Sequence, residues 1–156
     1  MMKGKLLKWV SITAALCILG FVMMGATVDS ETAAVKKLLE RRTMIMENVL
    51  FGNITYEEGA SQLKEVEMDK LYSDDLRSLA EYRNTDIESV RKMDIIDIKK
   101  ESQIYDKMTF SCEINWTYSG IDGTDEITGR YVAGVDRNGG DLRLVSFSPA
   151  EASYKK

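Results

Sequence analysis

The chain of 156 residues contains no histidine. That absence removes serine–histidine–aspartate hydrolysis, thiol–histidine catalysis and the usual zinc sites, each of which needs an imidazole as base or ligand. Only two cysteines are present, Cys17 and Cys112. Cys17 lies inside an apolar run, where a lipid-modified cysteine would have no polar flank to mark a cleavage site, and it reads as a cysteine buried in a membrane segment. Cys112 is then alone in the rest of the chain, which rules out a disulfide within that region. The single proline, Pro149, follows the last apolar alternation, so no strand interior is interrupted. Acid is missing from the N-terminus: all 25 Asp and Glu lie at or beyond Asp29, while three of the 21 Lys and Arg precede it, leaving the remainder with a net charge of −7. Such a surface repels phosphate backbones and anionic lipid heads, so nucleic acid is not an expected partner.

What is present begins with "MMKGKLLK", carrying Lys3, Lys5 and Lys8, followed by 20 uncharged residues from Trp9 to Val28. A helix of that length matches the hydrocarbon core of a bilayer. The lysines on its N-terminal side place the N-terminus in the cytoplasm and everything after Asp29 outside the membrane. A cleaved signal peptide ending at Ala26 is the competing reading. The large Met24 two positions before the cut and the length of the run favour a retained anchor. The expected organisation is an anchor over 1–28 and one extracytoplasmic domain over 29–156, in a single-pass protein of a bacterial cell membrane.

Past the anchor, Val35, Leu38, Leu39, Ile45, Met46, Val49 and Leu50 recur with helical spacing, and Gly52 is where that helix would stop. Thr55 followed by Glu58 forms a capping box that opens a second helix with a buried stripe of Ala60, Leu63 and Val66. Ser73, Asp74 and Asp75 read as the start of a third helix, with Leu76, Leu79 and Ala80 continuing it to about Asn84. The period then changes to two and the residues become β-branched and aromatic. Four strands are expected, near Val90–Ile104, Met108–Ser119, Asp125–Asp136 and Asp141–Phe147. "YDK", "SGIDGT" and "RNGG" between them carry hairpin chemistry, with Asn138 and Gly139 able to take the positive φ of a tight turn. Consecutive Ile95 and Ile96 break the alternation and point to a bulge or to a strand buried on both faces. The fold class is α+β: about three helices on one face of a curved four-stranded antiparallel meander.

Few side chains offer chemistry. In "TFSCEINWTYSG", Phe110, Cys112, Ile114, Trp116 and Tyr118 share one face. Cys112 is therefore on the apolar side, where a thiol is a poor nucleophile. Asp94, Asp97, Glu113, Tyr105, Tyr118 and Tyr131 could support carboxylate and phenol chemistry, yet acids facing water and tyrosines capping a core explain them more simply. "DRNGGD" and "DGTDE" gather oxygen ligands without the alternating spacing of a calcium loop and are better explained as turns. The charges of "KKLLERR", Lys36 to Arg42, read as the solvated face of the first helix. Neither a metal site, a cofactor nor a catalytic residue is expected.

Three N-terminal helices followed by a long-stranded four-stranded meander resemble the nuclear-transport-factor-two-like, or cystatin-like, α+β cone over about Glu31 to Pro149. The resemblance rests on element order and strand patterning. A domain placed outside the cell after one membrane helix is further similar to the assembly subunits of type IV secretion and conjugation machines, which are non-catalytic scaffolds. That likeness implies a non-enzymatic scaffold or assembly domain contacting proteins of an envelope complex, with self-association also compatible. The alternative is an anchored or secreted module that binds a small ligand or peptide in the cone cavity, lined by Phe110, Cys112, Ile114, Trp116, Tyr118 and Tyr131.

Overall fold

A computed structural model describes residues 30–82, 89–120 and 123–150. The apolar run Trp9–Val28, with Cys17 and Ala26, lies outside the described residues, as do the third helix's expected end near Asn84 and the centre of the "SGIDGT" loop. No helix among the described residues is long and apolar enough to cross a membrane. The chain divides into two units, Met1–Ala33 and Ala34–Lys156. Of the first, only residues 30–33 are described, and they are helical; the architecture below is that of the second.

Among the described residues, three helices pack on one four-stranded antiparallel sheet. Helix α1 occupies 30–50 and buries Val35, Leu39, Ile45 and Val49, the stripe that its apolar spacing requires. It stops at Gly52, whose φ of 71° is the left-handed geometry that terminates helices at low cost in glycine. Helix α2, Tyr56–Val66, opens with the expected capping box: the Thr55 backbone N–H donates to Glu58 Oε2 at 2.8 Å, and the Glu58 N–H donates to Thr55 Oγ1 at 3.2 Å. Its buried stripe is Gly59, Leu63 and Val66. Gly59, rather than Ala60, is the closest point, because a Cβ there would collide with Val49 Cγ2 of α1.

Helix α3, Asp69–Tyr82, begins four residues before the Ser73 start that local chemistry favoured. Ser73 is inside the helix with its hydroxyl donating to the Asp69 carbonyl, and Asp75 is buried rather than capping. The short link between α2 and α3 explains the early start: Glu67 is extended and Met68 N–H donates to the Leu144 carbonyl at 2.9 Å, so the chain is pinned to the sheet and turns straight into the helix.

Strands β1 (Ser89–Ile104), β2 (Lys107–Gly120), β3 (Gly123–Asn138) and β4 (Asp141–Pro149) form a meander in sequence order. The doubled isoleucines make a bulge: Ile95 pairs with Ile114 and Asp97 with Glu113, leaving Ile96 between them and exposed. In the β3–β4 turn the positive φ falls on Gly139 (68°) and Gly140 (102°), while Asn138 pairs with Asp141 and closes the ladder. This shifts the turn by one residue from the expected pair, because two consecutive glycines take the left-handed conformations without strain.

The inner face of the sheet presents Met108, Phe110, Cys112, Ile114 and Trp116 from β2, Ala133 and Val135 from β3 and Leu144 from β4, packed with Val35 and Leu39 of α1 and Leu71 of α3. A second cluster joins the three helices through Ile45, Val49, Leu63, Val66 and Leu79, and Leu38 touches both. The outer face is polar: Ser111 donates to Glu101, Thr128 to Asn115 and Asn115 to Glu126.

Candidate functional site

The six side chains expected to line a cavity are brought together on the inner face, where they fill space. Phe110, Cys112, Ile114 and Trp116 are buried, and Tyr118 and Tyr131 are half-buried against the same cluster. Cys112 is 3% exposed. Loss of water, and secondarily the negative charge of Asp97, pushes its thiol up to about 11. A thiol held protonated at neutral pH and enclosed by carbon is a space-filling group.

Across the strands the aromatic residues form a ladder. Trp116 Nε1 donates to the Tyr131 hydroxyl at 2.9 Å, with the rings edge to face at 5.9 Å. Tyr131 stacks on Phe147 at 5.1 Å, and the guanidinium of Arg42 lies 5.3 Å from the centre of the Phe147 ring. Tyr131 also leans back over Gly129, where a Cβ would meet the ring at 2.9 Å.

The ladder ends at a feature the linear pattern concealed. Arg42 turns inward, in contrast to its exposed neighbours Lys36, Lys37, Glu40 and Arg41. It engages two buried carboxylates, Glu67 from the α2–α3 link and Asp75 from α3. Its Nε and one terminal nitrogen donate to the two Asp75 oxygens at 2.7 Å each, a bidentate pair. Nε also lies 2.7 Å from Glu67 Oε1, but its single hydrogen is directed at Asp75, so neither Glu67 oxygen receives a hydrogen bond from the guanidinium. Glu67 is 1% exposed. Burial first, then its hydrogen bond with Asp75 and that group's charge, push its carboxyl up to about 8 against the opposing pull of Arg42. Two buried carboxyl groups thus meet one guanidinium, and Glu67 holds its proton more tightly than a free acid does.

Two clefts lie elsewhere, where the second half of α1 meets the beginning of β1. One of about 280 Å³ is lined by Thr43, Met44 and Glu47 of α1 and Val90, Arg91 and Met93 of β1, among others; its neighbour shares Glu47, Val90 and Arg91 and reaches Phe51. Neither is lined by the six expected residues or by Glu67. Burial raises the Glu47 carboxyl, opposed by a hydrogen bond from the Val90 backbone and by the charge of Arg91. No group of histidine, cysteine and carboxylate ligands that could hold a metal ion occurs among the described residues.

The chain matches no known family model and no curated protein. Its structure is similar to the intermembrane space region of the chloroplast protein ARC6, at 12% identity and a TM-score of 0.53, over 78% of this chain and 97% of that one. It is similar to the beta subunit of the benzoate 1,2-dioxygenase from Burkholderia mallei, at 13% identity and a TM-score of 0.52, over 75% of this chain and 87% of that one. A protein from Catenulispora acidiphila matches at 12% identity and a TM-score of 0.55, over 78% and 91%. At these identities the likeness concerns the fold: helices with a four-stranded antiparallel sheet.

Proposed function

We propose that this chain is a membrane-anchored, extracytoplasmic domain of the nuclear-transport-factor-two-like type that acts as a non-enzymatic scaffold, contacting proteins of a bacterial envelope complex for transfer or secretion. The observation that carries the reading is the filled inner face. Where a cone-shaped enzyme would keep a substrate, Phe110, Ile114 and Trp116 meet Val35 and Leu39, and the only thiol among them is unreactive. What such a domain offers to other molecules is its surface, including the polar outer face of the sheet, and an anchor makes weak contacts there effective by raising local concentration.

The test is the intact mass of the native protein with its partition between membrane and medium, followed by photo-crosslinking from Thr117 and Arg130 on the outer face. Full-length protein in the membrane, crosslinked to another envelope protein, supports the scaffold. A form beginning near Thr27, free in the medium and carrying a ligand, overturns it. The α1–β1 cleft, with apolar Val90 and Met93 beside charged Glu47 and Arg91, favours a small-ligand or peptide module as the second reading. That reading requires a bound molecule displaced by Met93→Trp.

A further inference from the structure

Strand β3 outruns the strand beside it. β4 is 9 residues long against 16 for β3, and their pairing ends where Tyr131 meets Pro149, followed by the Ala150 N–H donating to the Arg130 carbonyl at 2.8 Å. Between Gly123 and Gly129, β3 therefore has β2 on one side and, among the described residues, no strand on the other. Which backbone groups are left open follows from the alternation of an antiparallel ladder. Since the Arg130 carbonyl points toward β4, so do the N–H and C=O groups of Thr124, Glu126 and Thr128, while Asp125, Ile127 and Gly129 bond to β2. Every residue from Gly123 to Thr128 is exposed. Ile127, which pairs with Trp116 and shares its inner face, is 57% exposed.

This edge lacks the usual protection. Its register with β2 runs from Gly123 to Asp136 without a shift, whereas β1, the outer strand on the other side, shifts three times against β2. It contains no proline. A regular open edge is a template for another extended strand, which would satisfy the main-chain groups and cover Ile127.

Charge decides which strand. Asp125 on the inner face and Glu126 on the outer face are neighbours on the edge, and the cations near them already have acids: Lys92 lies 2.7 Å from Asp94 and Arg130 lies 3.7 Å from Glu113. A second copy of the chain does not fit. A two-fold pairing that keeps the inner faces together places Asp125 or Glu126 directly opposite itself, a like-charge contact that destabilises a ladder. The next register, with Ile127 opposite itself, sets Thr124 of the copy opposite Arg130, where Ala150 already sits.

We propose that the open edge of β3, from Thr124 to Thr128, is a docking site for an extended segment of a different protein, with two consecutive basic residues opposite Asp125 and Glu126 and an apolar residue beside Ile127. This rests on the reading of the domain as one that contacts proteins and is independent of the anchor. Main-chain hydrogen bonds hold the segment, and the alternating side chains select it. Because the ion pairs are exposed, salt weakens the selection.

The probe is a capped peptide, Thr-Thr-Thr-Val-Lys-Lys-Thr-Thr-Thr, which in antiparallel register sets its valine beside Ile127 and its lysines opposite Glu126 and Asp125. Amide exchange is followed by NMR in the full chain held in detergent micelles. In the free chain the Glu126 and Thr128 amides should exchange roughly tenfold or more faster than those of Asp125 and Ile127, and saturating peptide should slow both by about tenfold. The slowing should weaken in high salt, vanish when the peptide's main-chain nitrogens are methylated or glutamate replaces both lysines, and transfer to the glutamate peptide in the Asp125→Lys, Glu126→Lys chain. Slow exchange retained at Ile127 shows that this variant is folded. No slowing at millimolar peptide, with crosslinks from Thr117 and Arg130 to another envelope protein still formed, overturns the edge contact and leaves the scaffold standing. No slowing and no crosslinks overturn both. Equal slowing by the glutamate peptide overturns the basic partner. Slow exchange of Glu126 and Thr128 in the free chain, lost when residues 151–156 are removed, assigns the edge to the chain's own end and overturns docking of another protein.

Discussion

Cys112 shows how one residue's environment decides its chemistry. Phe110 and Ile114 flank it on the same strand face, Tyr131 pairs with it across β3, and the thiol titrates only near 11. Native protein at pH 8 should therefore react with a disulfide reagent at least an order of magnitude more slowly than unfolded protein, because thiolate, not thiol, is the attacking species. A native rate equal to the unfolded one would show Cys112 exposed. Glu67 makes the converse case, an acid that keeps its proton. Its folded carboxyl titrates at about 8 against an ordinary 4.5, so the folded state binds the extra proton between those values. By linkage, stability is greatest below the lower value, falls as pH rises toward about 8 and then levels off. Glu67→Gln, which cannot lose a proton, should flatten that fall, gaining stability relative to the parent between pH 5 and 8 in thermal melts. An unchanged slope would mean that Glu67 is not the group that holds the proton.

At the scale of elements, contacts between helices decide which residues are tolerated. Gly59→Ala should gain about 1 kcal/mol of helix propensity. It would nonetheless destabilise the domain by about 1–3 kcal/mol in urea titrations, because the added methyl collides with Val49 of α1 and forces the helices apart. Arg42 ties α1 to the α2–α3 link and to α3. Arg42→Met should cost about 3–5 kcal/mol by leaving buried carboxylates unpaired, and adding Glu67→Leu with Asp75→Leu should restore most of that loss. The same elements mark the limits of a one-dimensional reading. Strand positions and the bulge at Ile96 were legible because a period of two and its interruption are local. The α2 cap was legible because Thr55 and Glu58 are three residues apart. The inward turn of Arg42 was not: its partners lie in other elements, and an arginine within "KKLLERR" carries no mark of the carboxylates that will meet it. Asp75 was misread for the same reason, as a cap beside Ser73, when its partner is in α1.

For the molecule as a whole, the two edges of the sheet are treated differently. The β4 edge is bridged by Glu67 and Met68 at Leu144, whereas β1 is the outermost strand on the other side and carries bulges and Arg91, Lys92, Lys99 and Lys100 along its length. Bulges and lysines on an outer strand discourage pairing with another chain. Coherence between layers comes from the inner face, and Phe110→Ala should cost about 3–5 kcal/mol in urea unfolding, a large part of the 5–15 kcal/mol that typically holds a domain together. A loss below about 1 kcal/mol would mean that the helices and sheet are not packed as one core. By itself the sequence determined the α+β class, the order of the elements, the hairpins and the inertness of the thiol, since periodicity, turn chemistry and the absence of histidine act within a few residues of each other. Only the tertiary structure decided that the inner face is filled, that Arg42 gathers Glu67 and Asp75, and that Gly59 is a point of close approach. Each of those depends on surfaces and charges separated by tens of residues, which meet only when the chain has folded.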